Sequence, residues 1–306
     1  MAQQKVKYTD TERTPAERAR ALLEEMTLDE KMAQLGCIFP FGDSYDDMEQ
    51  QALEMPYGIG QVSTLEMRRI RTLEEAAGWQ RKMQETVMRQ SPHHIPAIFH
   101  MEGLCGAFIQ EGTSFPSGIA RGSGWDPELE EKIAKVVAKQ EAACGITHIL
   151  APVLDISRDS RMGRQGETYG EDPALAAALG TAYTKGIQTT EAGGRRPESV
   201  AKHFLGFHNS QGGIHGTNSD TPSRLMEEIY GKPFQSAISE SGLKVVMPCY
   251  NSIDGEPASV SHRLLTELLR EKMGFDGLCV SDYGGINNAH EVQRIGETIG
   301  ETGLLA

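Results

Sequence analysis

The sequence predicts an α/β protein in which parallel strands are joined by helices. Short apolar runs rich in β-branched residues alternate along the chain with segments whose apolar residues recur three and four positions apart. The apolar runs are continuous rather than alternating with polar residues, which is typical of strands covered on both faces. The regular order of strand and helix indicates a parallel sheet with crossover helices.

Six strands and several helix starts are predicted in chain order. The strands are residues 58–63, 95–99, 146–156, 199–207, 243–250 and 275–282. A capping side chain before a proline indicates the start of a helix. This pattern occurs at Thr14-Pro15, Asp126-Pro127, Asp172-Pro173 and Thr221-Pro222. Thr27 and Glu30 have the spacing of a capping box, which predicts one more start.

Two architectures fit this order, a doubly wound open sheet and a (β/α)8 barrel. An open nucleotide-binding sheet usually carries a glycine-rich fingerprint after its first strand, whereas STLEMRR follows the first predicted strand here. The barrel is therefore favoured. A complete barrel needs eight strand–helix units, but only residues 283–306 follow the sixth strand. The predicted α/β fold is a TIM-like (β/α)8 barrel truncated after about six strands, as a single domain over residues 1–306.

Composition narrows the classes of function. The net charge is −13 and the isoelectric point is near 5.2. This argues against nucleic acid binding, because a phosphate-backbone binder needs a basic surface. No apolar run approaches the length of a membrane span, and the polar stretch MAQQKVKYTD has no signal-peptide core. We therefore expect a cytoplasmic protein that binds neither nucleic acid nor membrane.

Metals and cofactors are not expected either. The five cysteines, at positions 37, 105, 144, 249 and 279, form no CxxC pair and are interpreted as buried thiols of a reducing compartment. His93 and His94 have no partners at metal-ligand spacing. The sequence also has no phosphate-binding loop, so the prediction is a protein with no metal and no cofactor.

Polar side chains follow five consecutive predicted strands at their carboxyl ends. Functional residues of parallel α/β folds collect at this edge, because the loops that follow the strands meet there. We therefore expect one pocket to be formed by Glu102, Arg158–Arg164, Lys202, His203, Tyr250 and Asp282.

Each of these residues also has a simpler structural interpretation. The alternatives are a turn cap (Glu102), loop ion pairs (Arg158, Arg161 and Arg164 with Glu167, Glu171 or Asp172), a core histidine (His203), packing (Tyr250) and a helix cap (Asp282). Lys202 is the hardest to explain in this way, because a lysine in an apolar strand is costly unless it is paired. A structural salt bridge stays open for it.

One carboxylate surrounded by arginine, lysine, histidine and a second acid fits sugar recognition. Charged side chains bind hydroxyl groups through charge-assisted hydrogen bonds, which are the stronger kind. A nearby cation favours the ionised form of a carboxylate, and a retaining glycosidase uses such a carboxylate as its nucleophile. We interpret Asp282 as a nucleophile that is kept charged by Lys202 or Arg164.

Five motifs occur in an order that carries a family resemblance: MTLDEKMAQL, APVLDISRDSRMGRQGETYGEDP, AKHFLGF, VVMPCYNSIDG and GLCVSDYGG. From Met26 onward the sequence resembles the N-terminal barrel domain of glycoside hydrolase family 3, of the β-glucosidase and β-xylosidase type. The resemblance implies that Asp282 is the catalytic nucleophile. It also implies a substrate site formed by Glu102, Arg164, Lys202, His203 and Tyr250. Two features depart from the family: many members have aspartate in place of Glu102, and SRDSRMGR replaces the commoner RDPRWGR.

The resemblance implies an exo-acting, retaining β-glycoside hydrolase, either a β-glucosidase or a β-xylosidase. Such an enzyme removes terminal nonreducing sugars from small oligosaccharides or glycosides through a covalent intermediate, here on Asp282. In this family type a C-terminal α/β sandwich domain supplies the general acid/base, and we expect that domain to be absent from this chain. The partners left open are a complementing C-terminal domain and a second copy of the chain.

Three alternatives remain. The first is a split chain that binds sugar but needs a partner domain for the acid/base. The second is a β-N-acetylglucosaminidase, although the motif of that branch, KHFPGHG, is replaced by KHFLGFHNSQGG, and His208, His215 and Asp220 are poor substitutes for its catalytic histidine. The third is a Schiff-base lyase with Lys202 as the nucleophilic amine. Arg164 and Asp282 would have no role in that reaction.

Overall fold

The structure, a computed structural model, describes residues 7–41 and 45–306. The chain divides into two compact units, Met1–Glu66 with Ala77–Phe99 and Met67–Ala76 with His100–Ala306. Every candidate site residue of the sequence belongs to the second unit.

The first unit combines two short parallel strands with helices. β1 (Cys37–Ile38) lies parallel to β2 (Gln61–Ser63). The helices are α1 (Pro15–Glu25), α2 (Leu28–Leu35), α3 (Tyr45–Leu53) and most of α4 (Leu73–Gln90). Both α1 and α2 begin with a capping box, at Thr14 and Thr27, which confirms these two predicted starts.

The second unit is built on a parallel sheet. Its strands, in sheet order, are β3 (Ile98–Met101, of which His100 and Met101 belong to this unit), β4 (His148–Ile149), β5 (Glu198–Phe204), β7 (Val245–Pro248) and β10 (Leu278–Cys279). Neighbouring strands are parallel throughout, and β7 is buried along its whole length. The prediction of parallel strands covered on both faces is confirmed.

A smaller sheet lies in the segments that follow β5 and β7. β6 (Asn218–Ser219) is parallel to β8 (Ser252–Ile253), which is antiparallel to β9 (Glu256–Pro257). These strands and β1 were not predicted, because two residues are too few to show a periodic pattern. All six predicted strands are present in the described ranges, mostly shorter than predicted.

The main helices of the second unit are α6 (Pro127–Ala143), α7 (Pro173–Thr189) and α9 (Lys232–Ser241). α6 and α7 begin where the sequence predicts, since Asp126 accepts from the Leu129 N–H at 3.0 Å and Asp172 accepts from the Leu175 N–H at 2.8 Å. At Thr221-Pro222 a helix begins one residue later than predicted, and the predicted cap is wrong. The helix there begins at Ser223 without a side-chain cap, and the Thr221 hydroxyl bonds to the Ser219 hydroxyl at 2.9 Å instead.

Shorter helical segments complete the chain. They are α5 (Gly118–Gly122), α8 (Ser223–Leu225), α10 (Gly285–Glu291) and α11 (Ile299–Leu305); the 3-10 turns Leu65–Arg69, Ser160–Met162, Gln165–Glu167, Phe207–Asn209, Gln211–Gly213 and Ala258–Val260; and the wider π-type segments Met226–Tyr230 and Arg263–Lys272. Within residues 7–41 and 45–306, no helix has both the length and the apolar character needed to cross a bilayer.

The core of the second unit lies on both faces of its sheet. Val245 and Val246 are successive residues of β7 and therefore point to opposite faces. Val246 packs with Leu179 of α7 and Phe234 of α9 in a large buried cluster. Val245 packs with Val200 of β5 in a smaller apolar cluster on the other face. This packing leaves the polar residues at the strand ends to form the site.

The cysteine prediction is correct only in part. All five thiols are free. Cys144 and Cys249 are buried as predicted, Cys105 and Cys279 are half-buried, and Cys37 is exposed. Cys37 lies in the short strand β1, where 2 residues are too few to show a buried pattern in the sequence.

Candidate active site

The predicted site residues gather at the carboxyl edge of the sheet. Those that end or follow a strand are Glu102 (β3), Lys202 and His203 (β5), Tyr250 (β7) and Asp282 (β10). Arg164 precedes a helical turn in the segment after β4 and reaches His203, with its Nη2 3.2 Å from His203 Nε2. The structure therefore brings the six side chains to one end of the sheet.

Asp282 is buried, with 7% of its surface exposed. Its Oδ1 accepts from the backbone N–H of Tyr283 at 2.7 Å. Its Oδ2 has no hydrogen-bond partner in the described part of the chain, and His203 Nε2 lies 3.7 Å from this oxygen. A buried oxygen without a partner is costly. Its presence among polar groups at the ends of the strands therefore indicates an atom kept available for a ligand.

The structure excludes the interpretation of Asp282 as a helix cap. α10 begins at Gly285, and its capping position is Gly284, which has a φ of 67° in the left-handed region. The Gly285 N–H donates to the backbone carbonyl of Asp282 at 2.9 Å, not to the carboxylate. The Asp282 side chain therefore plays no part in starting the helix.

His203 is held between an acid and a cation. Its Nδ1 lies 2.7 Å from Asp155 Oδ2, and its Nε2 is the ring atom that faces Arg164. Burial lowers the pKa of His203 well below its usual value, with the charges of Arg164 and Lys202 adding to the effect and that of Asp282 opposing it. The ring is therefore neutral, with Nδ1–H donating to Asp155 and Nε2 accepting from Arg164.

Asp155 is a site residue that the sequence analysis missed. It is 3% exposed, and burial raises its pKa to about 6, against the opposing charges of His208 and Arg164. The sequence does contain a signal for it, because Asp155 is an acid in the apolar run APVLDIS, just as Asp282 is in GLCVSD. The role of Asp155 is to orient the His203 ring, which places the unprotonated Nε2 next to Arg164 and Asp282.

Arg164 forms a fork with Glu167. Its Nε and Nη2 donate to the two carboxylate oxygens at 2.7 and 2.8 Å, and its guanidinium carbon lies 5.1 Å from the centre of the Phe207 ring. Burial raises the pKa of Glu167, but the hydrogen bonds and charge of Arg164 outweigh it and the net shift is downward. The predicted loop pairing is therefore correct for Arg164. Arg161 instead pairs with Asp159.

Lys202 is only 3% exposed, and its Nζ donates to Glu102 Oε2 at 2.6 Å. A buried ammonium needs such a partner, because its desolvation is costly. The salt-bridge interpretation is thus correct, and the pair lies at the same strand ends as Asp282. The two cations proposed to keep Asp282 charged are both paired with other acids, so they act on it through space and not through direct contact.

Aromatic rings form one wall beside these charges. The Phe207 ring centre lies 4.5 Å from that of His203 and 5.1 Å from that of His215, and His215 lies 4.7 Å from Tyr250. The Tyr250 hydroxyl donates to the backbone carbonyl of Tyr283 at 2.7 Å. Tyr250 therefore lies beside Asp282 and fixes the backbone that follows it.

The described residues hold no group of three or more His, Cys, Asp or Glu side chains arranged for a metal ion. A buried acid with one unpaired oxygen, next to a forked arginine and a paired lysine, can bind and attack a polyhydroxylated ligand. The fold and the site together define a parallel α/β, barrel-type protein with a cluster of charged and aromatic side chains at the carboxyl edge of its sheet.

The chain belongs to glycosyl hydrolase family 3, because the model of that family's N-terminal domain matches residues 27–302. It is 35% identical over 220 residues to a β-xylosidase of Formosa agariphila, covering 69% of this chain and 30% of that protein. It is 38% identical over 186 residues to a β-glucosidase of Rhizobium radiobacter, covering 61% of this chain and 22% of that protein.

Solved structures show the same fold. A β-glucosidase from Erythrobacter marinus matches with a TM-score of 0.90 and 31% identity, over 98% of this chain and 40% of that chain. A β-glucosidase from Listeria innocua in complex with glucose matches with a TM-score of 0.83 and 27% identity, over 95% of this chain and 40% of that chain. The predicted barrel-type α/β class is therefore confirmed. The chain spans less than half of the length of these relatives.

Neither of the two reactions considered as alternatives to β-glucosidase chemistry is favoured. The Lys202 amine is bound to Glu102 at 2.6 Å rather than presented as a free nucleophile, which argues against a Schiff-base lyase. The relatives described above are named as β-xylosidase and β-glucosidase, and not as acetylglucosaminidase.

Proposed function

We propose that this protein is the catalytic barrel of a retaining, exo-acting β-glycoside hydrolase whose nucleophile is Asp282. The observation that carries the proposal is the Asp282 carboxylate itself. It is buried, with Oδ1 held by the Tyr283 N–H and Oδ2 unpaired at 3.7 Å from His203 Nε2. The names of the relatives, β-glucosidase and β-xylosidase, support β-glucosides or β-xylosides as substrates.

In the first step, Asp282 Oδ2 attacks the anomeric carbon while the bond from that carbon to the aglycone oxygen breaks. A general acid protonates the departing oxygen. In the second step, water attacks the anomeric carbon of the glycosyl ester and Asp282 departs. The group that served as the general acid in the first step now acts as the general base. The two displacements return the anomeric carbon to its original configuration.

The paired charges recognise the terminal sugar. Lys202 and Glu102 present a donor and an acceptor 2.6 Å apart, which suits two hydroxyl groups on adjacent carbons. Arg164 is fixed by Glu167, and His203 is fixed by Asp155, so neither has to become ordered when the sugar binds. These pre-organised groups bind the nonreducing end and leave the aglycone to point away, which gives exo action.

The general acid/base is proposed to come from a complementing C-terminal domain. The chain covers 30% of the Formosa relative and 40% of the Erythrobacter one, so both relatives extend well beyond the matched region. A retaining mechanism needs a second carboxyl group about 5–5.5 Å from the nucleophile. A complementing domain would supply that group.

The test is to incubate the protein with a 2-fluoro-β-glucoside that carries a dinitrophenyl leaving group, followed by intact-protein mass spectrometry. This leaving group departs without a general acid, so the assay isolates the nucleophile. We expect a stable fluoroglucosyl adduct that peptide mapping places on Asp282, and no adduct in Asp282→Asn.

The xylosyl analogue distinguishes the two sugars by its relative rate of labelling. Folded protein that forms no adduct with either reagent would contradict the proposal. A product trapped on Lys202 by borohydride with a carbonyl substrate would instead establish the lyase chemistry.

A further inference from the structure

His100 lies beneath the candidate site and takes no part in the contacts described so far. It belongs to β3, two residues before Glu102, and is 4% exposed. Its Nε2 lies 3.1 Å from the hydroxyl oxygen of Tyr283, and the two ring centres are 5.8 Å apart. A buried imidazole in this position needs an explanation, because an apolar residue would fill the same space at no desolvation cost.

Tyr283 follows Asp282 directly, and each of its polar groups is engaged. Its backbone N–H donates to Asp282 Oδ1 at 2.7 Å, and its carbonyl accepts from the Tyr250 hydroxyl at 2.7 Å. Its ring packs against the apolar cluster formed by Leu150, Val200, Val245 and Met247. The hydroxyl contact with His100 adds a polar anchor at the tip of the side chain.

The contact joins two distant parts of the sheet. β3 and β10 are the first and last strands of the parallel sheet of the second unit, and 183 positions separate His100 from Tyr283 in sequence. One end of the contact lies on the strand that precedes Glu102, and the other lies next to Asp282. The bond therefore fixes the segment that carries the reacting carboxylate relative to the strand that carries the sugar-binding acid.

We propose that His100 is a positioning residue for Asp282: by binding the Tyr283 hydroxyl it holds the Tyr283 N–H on Oδ1, so that Oδ2 alone faces the anomeric carbon. This inference rests on the proposed function. Burial, together with the charges of His148 and Lys202, lowers the pKa of His100 to about 3, so its ring stays neutral over the working pH range. The anchor is therefore a neutral hydrogen bond that does not switch with pH.

The test measures the rate constant of inactivation and the dissociation constant for the fluoroglucoside reagent in His100→Phe and Tyr283→Phe. Each variant keeps an aromatic ring at its position and removes the hydrogen bond between His100 and Tyr283. We expect each to lower the inactivation rate constant about tenfold, the amount typical of one hydrogen bond, with little change in the dissociation constant. The double variant should be no worse than either single variant. His100→Gln, which keeps a polar nitrogen in reach, should recover part of the rate.

Two controls separate positioning from damage to the fold. The final extent of labelling reports the folded fraction, so a purely structural role would lower that extent and leave the rate constant unchanged. Tyr230→Phe removes a tyrosine hydroxyl from another residue of the same unit, which is 7% exposed, and should label at the wild-type rate.

Wild-type rate constants in His100→Phe and Tyr283→Phe would overturn the inference while leaving the nucleophile assignment intact. Additive losses in the double variant would overturn it too. Failure of the wild type to label on Asp282 would overturn the proposed function, and this inference with it.

Discussion

Asp282 and Glu141 are both buried acids of the second unit that have unpaired oxygens, and they lie in opposite surroundings. Asp282 has a backbone donor on one oxygen and His203 3.7 Å from the other. Glu141, on α6, is completely buried, and neither of its oxygens has a partner in the described part of the chain. Burial raises the pKa of Glu141 well above its usual value, and the charge of Glu102 adds to the shift.

The difference shows what makes a buried acid useful. Burial alone favours the neutral form, so an isolated carboxyl such as Glu141 keeps its proton and cannot act as a nucleophile. Near Asp282, the positive charge of Arg164 and one fixed donor, the Tyr283 N–H, replace part of the lost water. An acid therefore becomes a reacting group through its neighbours, and not through burial or an unpaired oxygen.

The largest expected effect comes from Asp282→Asn. This change should lower the initial rate of dinitrophenolate release from a dinitrophenyl β-glucoside by about 10⁴-fold or more, because the amide cannot form the glycosyl ester. The measurement is stopped-flow absorbance at saturating substrate. Glu141→Gln is the matched control and should stay close to the wild-type rate. Comparable losses in both variants would mean that the two buried acids do not differ in the proposed way.

Glu141→Gln should make the protein more stable, and increasingly so as the pH rises. The raised pKa means that the folded state holds a proton that the unfolded state releases above its ordinary value of about 4.5. The stability that this proton confers is complete below the unfolded pKa of about 4.5 and is lost as the pH rises through the raised folded pKa. The loss is at most about 1.4 kcal/mol per pH unit. The variant escapes this loss, so its melting temperature should exceed that of the wild type by more at pH 7 than at pH 5.

Glu130, on the same helix, provides a control in which the substitution by glutamine should lower the stability of the folded protein instead of raising it. Its carboxylate accepts from Arg121 Nε at 2.9 Å and from the Tyr169 hydroxyl at 2.6 Å. Glu130→Gln leaves the buried Arg121 without its counter-charge and should cost about 3 kcal/mol. Thermal unfolding between pH 5 and pH 8 measures both variants. A Glu141→Gln variant that follows the wild-type pH dependence would show that Glu141 is not the neutral acid described above.

The sequence predicts local features well because their signals are local. Strand and helix alternation, the caps at Asp126 and Asp172, and the positions of Lys202 and Asp282 at strand ends all follow from residues close together in the chain. Asp155, the missed acid of the site, stands out in its apolar run as an acid, but its contact with His203, 48 positions away, is visible only in the structure.

Which charges pair is a tertiary property and could not be predicted. Lys202 pairs with Glu102, which lies 100 positions away in the sequence. The sequence could therefore indicate that Lys202 needs a partner without identifying that partner. Likewise, the sequence named Lys202 and Arg164 as the cations that keep Asp282 charged, but it could not show that each is paired with another acid. Glu141 gave no signal, because an acid in an amphipathic helix normally faces water, and its burial depends on how α6 packs.

The smallest of the expected effects concerns Asp155. Asp155→Asn removes the carboxylate that accepts from His203 Nδ1–H and offers an amide that can donate instead, which favours the other ring tautomer. Nε2 would then carry the proton and could no longer accept from Arg164. Because the His203 ring stays in place and only its tautomer and orientation are disturbed, we expect the labelling rate constant at pH 7 to fall by about 10- to 100-fold.

The pH profile distinguishes this role from simple loss of packing. The raised pKa of Asp155, about 6, means that wild-type Asp155 is ionised at pH 7 and gains a proton as the pH falls below about 6. The protonated acid loses its role as acceptor, so the wild-type rate should decline on the acid side with a midpoint near that value. The amide introduced by Asp155→Asn has no proton to gain, so the decline should vanish in the variant and its rate should stay low throughout. If the variant kept the decline, another group would be responsible for it, and Asp155 would then differ little from Glu141: a buried acid with no effect on the nucleophile.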